Sequence, residues 1–492
     1  MASALSRTKS IDHLLAEAAA TGEGTLKRTL GPWSLVALGI GAIIGAGLFV
    51  RTAAAIADRA GPSVTIAFIV AGVGCAFAGL CYAEFASMIP VAGSAYTYSY
   101  ATMGELMAWI IGWDLVLEYA VGASTVAIAW SEYANRVLGW FGMTVPYQWV
   151  HSPFEVSPDG VSGIMNIPAV FILFLLTLLL MRGTQQSALV NNLIVVLKVS
   201  IVLLVIALGW GYINPANHTP MIPEATTYTT PQGVTHSFGG IMGVLGAAGV
   251  VFFAYIGFDA VSTAAQEAKN PKRDMPIGIL GSLVICTILY ILFAYVLSGL
   301  APISDFRAQG REASVAFAIQ TYTPYTWLAN AITVAILAGF SSVILVMLLG
   351  QSRVFYSMSK DGLVPRVFSE IHPTFRTPHK SNMLFFVFTG LFAAFAPIDI
   401  VGEMTSIGTL FAFILVSAGV WMMRVKRPDV PRGFRVPALP LVAILGIVVC
   451  AAMIYGLGWT NWLRLAIWLA IGLVIYFAYG LKHSKLNAVP AR

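Results

Sequence analysis

The chain has 492 residues, of which 58% are hydrophobic and only 10% are charged, and its formal net charge is +6. This composition, with a mean hydropathy of +0.81, excludes an ordinary soluble enzyme and indicates a membrane protein. The four cysteines all lie in apolar segments, which does not fit a disulfide framework or a Cys-x-x-Cys metal site. The positive charge is better explained by basic membrane-flanking loops than by nucleic-acid binding.

Apolar segments of roughly 20 residues recur along the chain, and each is long enough to cross a ~30 Å hydrocarbon core. We predict an all-α polytopic membrane protein with about twelve transmembrane helices. The predicted segments, in chain order, are a cytoplasmic N-terminal tail (1–32), helices one to five (33–212), an extracellular loop (213–237), helices six to ten (238–424), a basic cytoplasmic loop (425–436), helices eleven and twelve (437–481) and a cytoplasmic C-terminal tail (482–492).

Basic residues are concentrated on one side of this predicted topology. Most of the 28 lysines and arginines fall in the two tails and in the loops that follow even-numbered helices. Because cytoplasmic loops carry the excess of positive charge, we expect both termini in the cytoplasm of a multi-pass cell-membrane protein. The loops at about 137–165 and 213–237 contain no lysine or arginine, as expected of extracellular loops.

A glycine-rich stretch at 39–47 interrupts the first predicted helix at its middle. Glycine weakens a helix, and irregular backbone at bilayer depth is tolerated only if it is buried in protein or lines a cavity. The half-helix that begins after Gly45, Ala46 and Gly47 would present free N–H groups and a positive dipole end to a carboxylate. Carbonyls near Ile43 would suit an ammonium group. The alternative interpretation is a small-residue packing face of the GxxxG type.

The sixth predicted helix has a second interruption, Phe-Phe-Ala-Tyr-Ile-Gly-Phe-Asp at 252–259. The carbonyls of Phe253, Ala254 and Ile256, just before Gly257, are further candidate ligands of an ammonium group. Two such breaks in corresponding halves of a polytopic chain indicate the binding site of a transporter. A pocket that recognises both an anion and a cation fits a zwitterionic α-amino acid. Aromatic side chains flank this break and are candidates for a gating lid: Phe253, Tyr255 and Phe258.

Lys198 lies inside the fifth predicted helix, where an ammonium group costs at least ~2.5–3.5 kcal/mol, so the residue is a candidate functional group. We predict that it couples transport to protons by bridging the first break to helix eight. Hydroxyls of Ser341 and Ser342 would support it. The alternative is a lysine that snorkels to the interface. Glu118 in helix three is the second candidate proton acceptor, and a purely structural carboxylate is its alternative.

Several of these stretches resemble a known family. Gly39–Val50 resembles the first-helix signature of the amino acid–polyamine–organocation permeases, and Pro90–Tyr98 resembles their loop after helix two. Residues 252–259 with 267–279 are similar to the cationic amino acid transporter branch. The resemblance implies a leucine-transporter-like fold, in which helices one to five and six to ten form two inverted repeats. Helices one and six are broken in that fold, and two further helices follow at the C-terminal end.

The resemblance also implies where an amino acid would bind. Its carboxylate would meet the backbone N–H groups of Gly45, Ala46 and Gly47. Its amino group would meet the carbonyls of Ile43, Phe253 and Ile256. These residues occupy the positions that match the family's binding residues. Bacterial members with a lysine at the position of Lys198 are similar to proton-driven rather than sodium-driven symporters.

The sequence therefore predicts proton-coupled uptake of L-amino acids by alternating access. The substrate would be small and neutral, such as alanine, or cationic, such as arginine and lysine. The proton would be the coupling ion, with no cofactor, no metal and no bound sodium, and a monomer in the lipid bilayer would suffice. Two alternatives stay open: an exchanger of cationic amino acids without proton coupling, and an amino acid sensor that transports nothing. No Walker, HExxH or Ser/His/Asp pattern supports an enzyme.

Overall fold

The computed structural model describes residues 7–10, 14, 30–45, 47–89, 91, 93–157, 159–182, 187–230, 233–308, 314–375 and 377–488. Within these ranges, the side chains of 187–191, 266–267, 314 and 487–488 are not described. The described chain is almost entirely helical, and its only named sheet is one small β-hairpin.

The α-helices, numbered in chain order, are α1 (Pro32–Ile43), α2 (Thr52–Ala55), α3 (Val64–Met88), α4 (Ser94–Thr102), α5 (Glu105–Val116), α6 (Gly122–Gly139), α7 (Ile167–Arg182), α8 (Ser187–Gly209), α9 (Gly240–Val251), α10 (Pro271–Leu300), α11 (Ile303–Ala308), α12 (Ser314–Tyr322), α13 (Thr326–Lys360), α14 (His379–Phe395), α15 (Ile398–Lys426), α16 (Leu439–Leu457), α17 (Trp459–Ile475) and α18 (Leu481–His483). A π-helical turn, Leu117–Val121, joins α5 to α6. The hairpin pairs β1 (Thr226–Thr229) with β2 (Thr235–Phe238), and Thr226 lies opposite Phe238.

Nine helical stretches of the described chain are long and apolar enough to cross a membrane, and α1 and α7 are shorter apolar helices. The predicted all-α polytopic fold is therefore confirmed. The number of twelve spans stays a prediction, as do the segment boundaries based on it.

Both predicted helix breaks are present. Helix α1 ends at Ile43, the next residue is extended, and helical structure resumes at Gly47, while Ala46 lies outside the described residues. In the sixth segment, α9 gives way to a 3₁₀ turn, Phe252–Tyr255, and then to extended backbone at Ile256. Gly257 follows with a φ of 111°, a conformation that side chains with a Cβ rarely adopt.

The described residues nearest the two ends of the chain meet at one end of the helix bundle. The Arg7 guanidinium donates to the carbonyl of Leu486 over 3.0 Å, and the amide of Lys485 donates to the carbonyl of Asp361 over 3.0 Å. Asp361 directly follows α13. This end of the bundle is called the terminal end below, and the end that carries the β-hairpin is called the opposite end.

Candidate functional site

The two helix breaks lie against each other at the centre of the bundle. A Cβ placed on Gly47 would come within 2.4 Å of the backbone nitrogen of Ala254. A Cβ on Gly45 would lie 2.9 Å from the side chain of Val343 in α13, and one on Gly257 would lie 3.0 Å from the carbonyl oxygen of Ala42. Glycines at these positions let the polar backbone of both breaks approach a common centre.

Tyr290 of α10 ties the two breaks together. Its fully buried hydroxyl lies 3.0 Å from the carbonyl oxygen of Ile43 and 3.0 Å from that of Ala254. A hydroxyl has one proton to donate, so it cannot fully satisfy both carbonyls at once. At least one acceptor at the junction of the breaks is therefore available to a second donor.

The carbonyl groups of the second break that were predicted to bind an ammonium group have different hydrogen-bond partners. The Phe253 carbonyl accepts from the Ile256 amide over 3.3 Å, which closes the 3₁₀ turn. Ala254 accepts from Tyr290, as described above. Because the peptide groups at this break have left the regular helical pattern, their hydrogen bonds come from local turns and from neighbouring helices.

The three aromatic residues of the second break are buried in helix packing. The Tyr255 hydroxyl donates to the carbonyl of Phe68 in α3 over 3.1 Å. Phe258 packs edge-on against Tyr82, with ring centroids 5.7 Å apart. Phe253 is 3% exposed. A gating role for any of these rings stays a prediction.

Lys198 joins three helical segments. Its ammonium donates to the Gly41 carbonyl in α1 over 2.9 Å and to the Ser342 hydroxyl in α13 over 2.9 Å. The residue is 2% exposed, and its ammonium has no ion-pair partner among the described residues. Gly339 makes room for it, since a Cβ there would lie 2.8 Å from the Lys198 Cε.

The two serines predicted beside Lys198 differ in their contacts. Ser342 contacts the ammonium, whereas the Ser341 hydroxyl accepts from the indole N–H of Trp130 over 3.1 Å and donates to the Leu337 carbonyl. The two side chains point apart because successive helix positions are rotated by about 100°. Ser341 is therefore placed to support α6 rather than the lysine.

A cluster of buried carboxyl groups lies between the π-helical turn Leu117–Val121 and the second break. Glu118 and Asp259 interact with each other, and neither side chain is exposed. The Tyr119 hydroxyl donates to Asp259 over 2.5 Å, and the Ser94 hydroxyl donates to the same oxygen over 3.5 Å. The oxygens of Glu118 have no hydrogen bond to a described residue. Two adjacent buried carboxyl groups are costly to ionise together, so this cluster can hold a proton.

Ion pairs close the bundle at its two ends. At the opposite end, Arg51 pairs with Asp399 at 3.0 Å, joining the helix after the first break to α15. At the terminal end, Lys9 pairs with Asp361 at 2.9 Å, and the Tyr96 hydroxyl donates to the other carboxylate oxygen over 2.8 Å. These contacts join elements that are far apart in the sequence at both ends of the bundle.

Sequence reasoning missed the two residues that hold the breaks and the terminal end in place. Tyr290 is visible only as a tyrosine in the middle of an apolar segment, which is a weak signal. Asp361 follows a long helix and looks like an ordinary surface residue. Their partners lie far away in the sequence, so only the tertiary structure brings them together.

Two interrupted helices in contact, with a buried lysine bridging one of them to a neighbouring helix, define a polytopic membrane carrier. The family model described as amino acid permease matches residues 30–479, and the chain belongs to that family. It is 45% identical over 481 residues to a branched-chain amino acid permease of Bacillus subtilis, with 98% of each chain covered.

Two other similar proteins have different names. The chain is 39% identical to the methylthioribose transporter of Bacillus subtilis, over 99% of this chain and 100% of that one. It is 37% identical to the chloroplastic cationic amino acid transporter 9 of Arabidopsis thaliana, over 86% of this chain and 72% of that one. The predicted resemblance to amino acid–polyamine–organocation permeases with a cationic-transporter-like branch is confirmed.

Proposed function

We propose that the protein takes up L-amino acids across the cell membrane, driven by protons, through alternating access. The observation that carries this proposal is the bridge from the Lys198 ammonium to the Gly41 carbonyl and the Ser342 hydroxyl. A buried cation in this place ties the first break to α13. A change in its charge would therefore change how firmly the two are held together.

The proposed substrate site uses the peptide groups of both breaks. The substrate carboxylate binds the N–H groups of Gly45, Ala46 and Gly47, where a half-helix begins. The ammonium binds carbonyls at the junction of the breaks, with Ile43 as the first candidate because Tyr290 leaves one acceptor there open. Since the breaks are packed together, they must separate to admit the substrate.

The proposed coupling follows from the contacts of Lys198. With its proton, the ammonium donates to both partners and holds α1 against α13. Loss of that proton removes the positive charge that strengthens both hydrogen bonds and loosens α1, which favours opening toward the terminal end. The Glu118 and Asp259 pair is a second place for the transported proton, and sodium is not needed.

The orientation and the substrate are parts of the same proposal. Both termini face the cytoplasm, because the excess of lysine and arginine lies on their side. Leucine, isoleucine and valine are the first substrates to test, because a relative at 45% identity is named a branched-chain amino acid permease. Alanine, arginine and lysine follow, and a monomer is sufficient for the mechanism.

The test is uptake of labelled amino acids into proteoliposomes that contain the purified protein. We expect an inward proton gradient to drive accumulation above the external concentration, and a protonophore to abolish it. Lys198→Ala should lose the gradient-driven accumulation. Lys380→Ala, a surface lysine paired with Glu370, is the matched control and should keep it.

The alternatives give different results in the same vesicles. An exchanger would require internal substrate and ignore the proton gradient. A sensor would bind substrate without any label accumulating inside. Gradient-driven accumulation that survives Lys198→Ala would leave the amino acid permease in place but refute the coupling role of this lysine.

A further inference from the structure

Three basic side chains on two adjoining elements at the terminal end of the bundle are exposed. Lys272 and Arg273 are in the first turn of α10, and Arg435 is in the loop between α15 and α16. The loop packs on the helix, since a Cβ on Gly433 would lie 2.7 Å from the Lys272 Cβ. None of the three side chains has a hydrogen bond or an ion pair to a described residue. They are called the basic rim below.

The nearby carboxylates are already engaged. Glu84 of α3 accepts from the guanidinium groups of Arg424 and Arg432 and from the Val436 amide. These contacts dock the loop onto the end of α3. Asp274 is buried and accepts the Asn270 amide over 3.1 Å.

A third carboxylate near the rim is also paired, because Asp429 binds Arg427 at 2.9 Å. The side chain of Glu267 lies outside the described part of the chain. Among described groups, the basic rim is therefore a surface of positive charge without a counter-charge. Other basic residues of the terminal end, such as Lys9 and Lys380, have carboxylate partners.

The basic rim continues into an apolar stripe on α10. Arg273 is followed at helical spacing by Ile277, Val284 and Ile288, whose side chains are 37%, 57% and 55% exposed. Positions separated by three or four residues share one helix face. A charge at the helix end thus lies directly above apolar side chains that face the hydrocarbon.

Helix α3 extends this apolar surface sideways. On one side, a Cβ at Gly79 would lie 3.0 Å from Leu283 of α10, and on the other, one at Gly74 would lie 2.9 Å from Met453 of α16. The outer face of α3, in the half nearer the rim, carries Phe77 and Leu80, which are half-buried. The first turns of α16 present further exposed apolar residues, among them Leu441, Ile444 and Val448.

We infer that this surface binds an anionic phospholipid, whose headgroup phosphate lies on Lys272, Arg273 and Arg435 and whose acyl chains lie along α3 and α10. Charge complementarity selects the headgroup, because the three basic side chains have no carboxylate partner among the described residues. The exposed stripe selects a lipid over a soluble phosphate, because only a lipid covers the apolar residues below the rim. A zwitterionic lipid lacks the net charge that the rim would neutralise.

The test counts lipids on the purified full-length chain by native mass spectrometry, with phosphatidylglycerol or phosphatidylcholine added to the detergent. The patch variant is Lys272→Gln, Arg273→Gln and Arg435→Gln together. A matched control, Arg182→Gln, Arg366→Gln and Lys482→Gln, removes the same charge from exposed residues elsewhere on the terminal end. Arg435→Gln alone changes only a loop residue and is the second variant.

The unmodified chain should bind phosphatidylglycerol more tightly than phosphatidylcholine. Each basic residue removed should weaken phosphatidylglycerol binding about fivefold, and the patch variant should bind it about a hundredfold more weakly. The control variant should bind as the unmodified chain does. Equal loss in the patch and control variants would overturn the proposal, as would displacement of bound phosphatidylglycerol by inorganic phosphate alone. No preference for the anionic lipid in the unmodified chain would overturn it as well.

Discussion

Gly47 and Ala254 approach so closely that a Cβ on Gly47 would lie 2.1 Å from the Ala254 Cα. The half-helix that begins at Gly47, after the first break, therefore packs directly on the backbone of the second break. Gly47 lies in the first half of the chain and Ala254 in the second, so this contact joins the two halves. A substrate could enter between the breaks only if this contact opened.

Gly47→Ala should weaken substrate binding by more than tenfold, which corresponds to about 1.4 kcal/mol. The added methyl group forces the two breaks apart and moves the N–H groups that would hold a carboxylate. Substrate-induced thermal stabilisation of the purified protein measures the effect. Gly211→Ala is the matched control, because a Cβ there has nothing within 4 Å. Equal stabilisation of both variants by substrate would contradict the proposed site.

Gly339→Ala should disturb Lys198 without changing the lysine itself. The new methyl group would meet the Lys198 Cε at 2.8 Å, and such overpacking typically destabilises by about 1–3 kcal/mol. Proton-driven uptake should fall while binding of substrate persists. Gly390→Ala, where the nearest atom lies 3.9 Å away, should leave uptake unchanged. Normal proton dependence in Gly339→Ala would show that the position of the ammonium is unimportant.

Tyr290→Phe should lower the free energy of unfolding by about 1–3 kcal/mol, because two buried carbonyls lose their shared donor. It should also weaken the affinity for substrate, since the breaks are no longer held in register. Thermal unfolding and substrate titration measure the two effects. Tyr455→Phe is the control, because Tyr455 is 63% exposed. An unchanged unfolding temperature and affinity in Tyr290→Phe would argue against a positioning role.

Asp361→Asn should release the N-terminal segment from the terminal end. The substitution weakens the contact with Lys9 at 2.9 Å, and a partly exposed ion pair of this kind contributes about 1 kcal/mol. Trypsin should then cut at Lys9 up to about fivefold faster, as followed by mass spectrometry. Asp429→Asn, which breaks an exposed pair with Arg427, is the control. Identical cleavage rates in the two variants would show that Asp361 does not hold the segment around Lys9 in place.

His151, in the loop between α6 and α7, should make stability depend on pH. Burial lowers the pKa of His151, but the hydrogen bond and the charge of Glu132 outweigh it and raise the pKa from 6.5 to about 9. The carboxylate lies 3.0 Å from the ring nitrogen. The stabilisation is complete below the ordinary value of 6.5 and is lost as the pH rises through about 9.

The unfolding temperature of the unmodified chain should therefore fall between pH 6.5 and pH 9 by more than that of His151→Gln. His483→Gln, a change in an exposed residue at the other end of the bundle, is the control and should follow the unmodified chain. Parallel pH curves for the unmodified chain and His151→Gln would contradict the ion pair with Glu132.

Much of the fold follows from local sequence. Apolar length predicts the helices, because backbone polar groups cannot remain unpaired in hydrocarbon. Glycines in the first segment and at Gly257 predict the two breaks, because only glycine tolerates the close approach and the positive φ found there. Lys198 could be singled out for the same reason, since an ammonium in an apolar helix needs partners.

The sequence by itself thus determined a set of local features: the apolar spans, the two helix breaks and the lysine inside an apolar span, Lys198. The tertiary structure decided which groups meet. It brought Ser342 rather than Ser341 to Lys198, placed Tyr290 between the breaks, and joined Asp259 to Tyr119. These contacts join residues far apart in the chain and depend on how helices pack, so no local pattern encodes them.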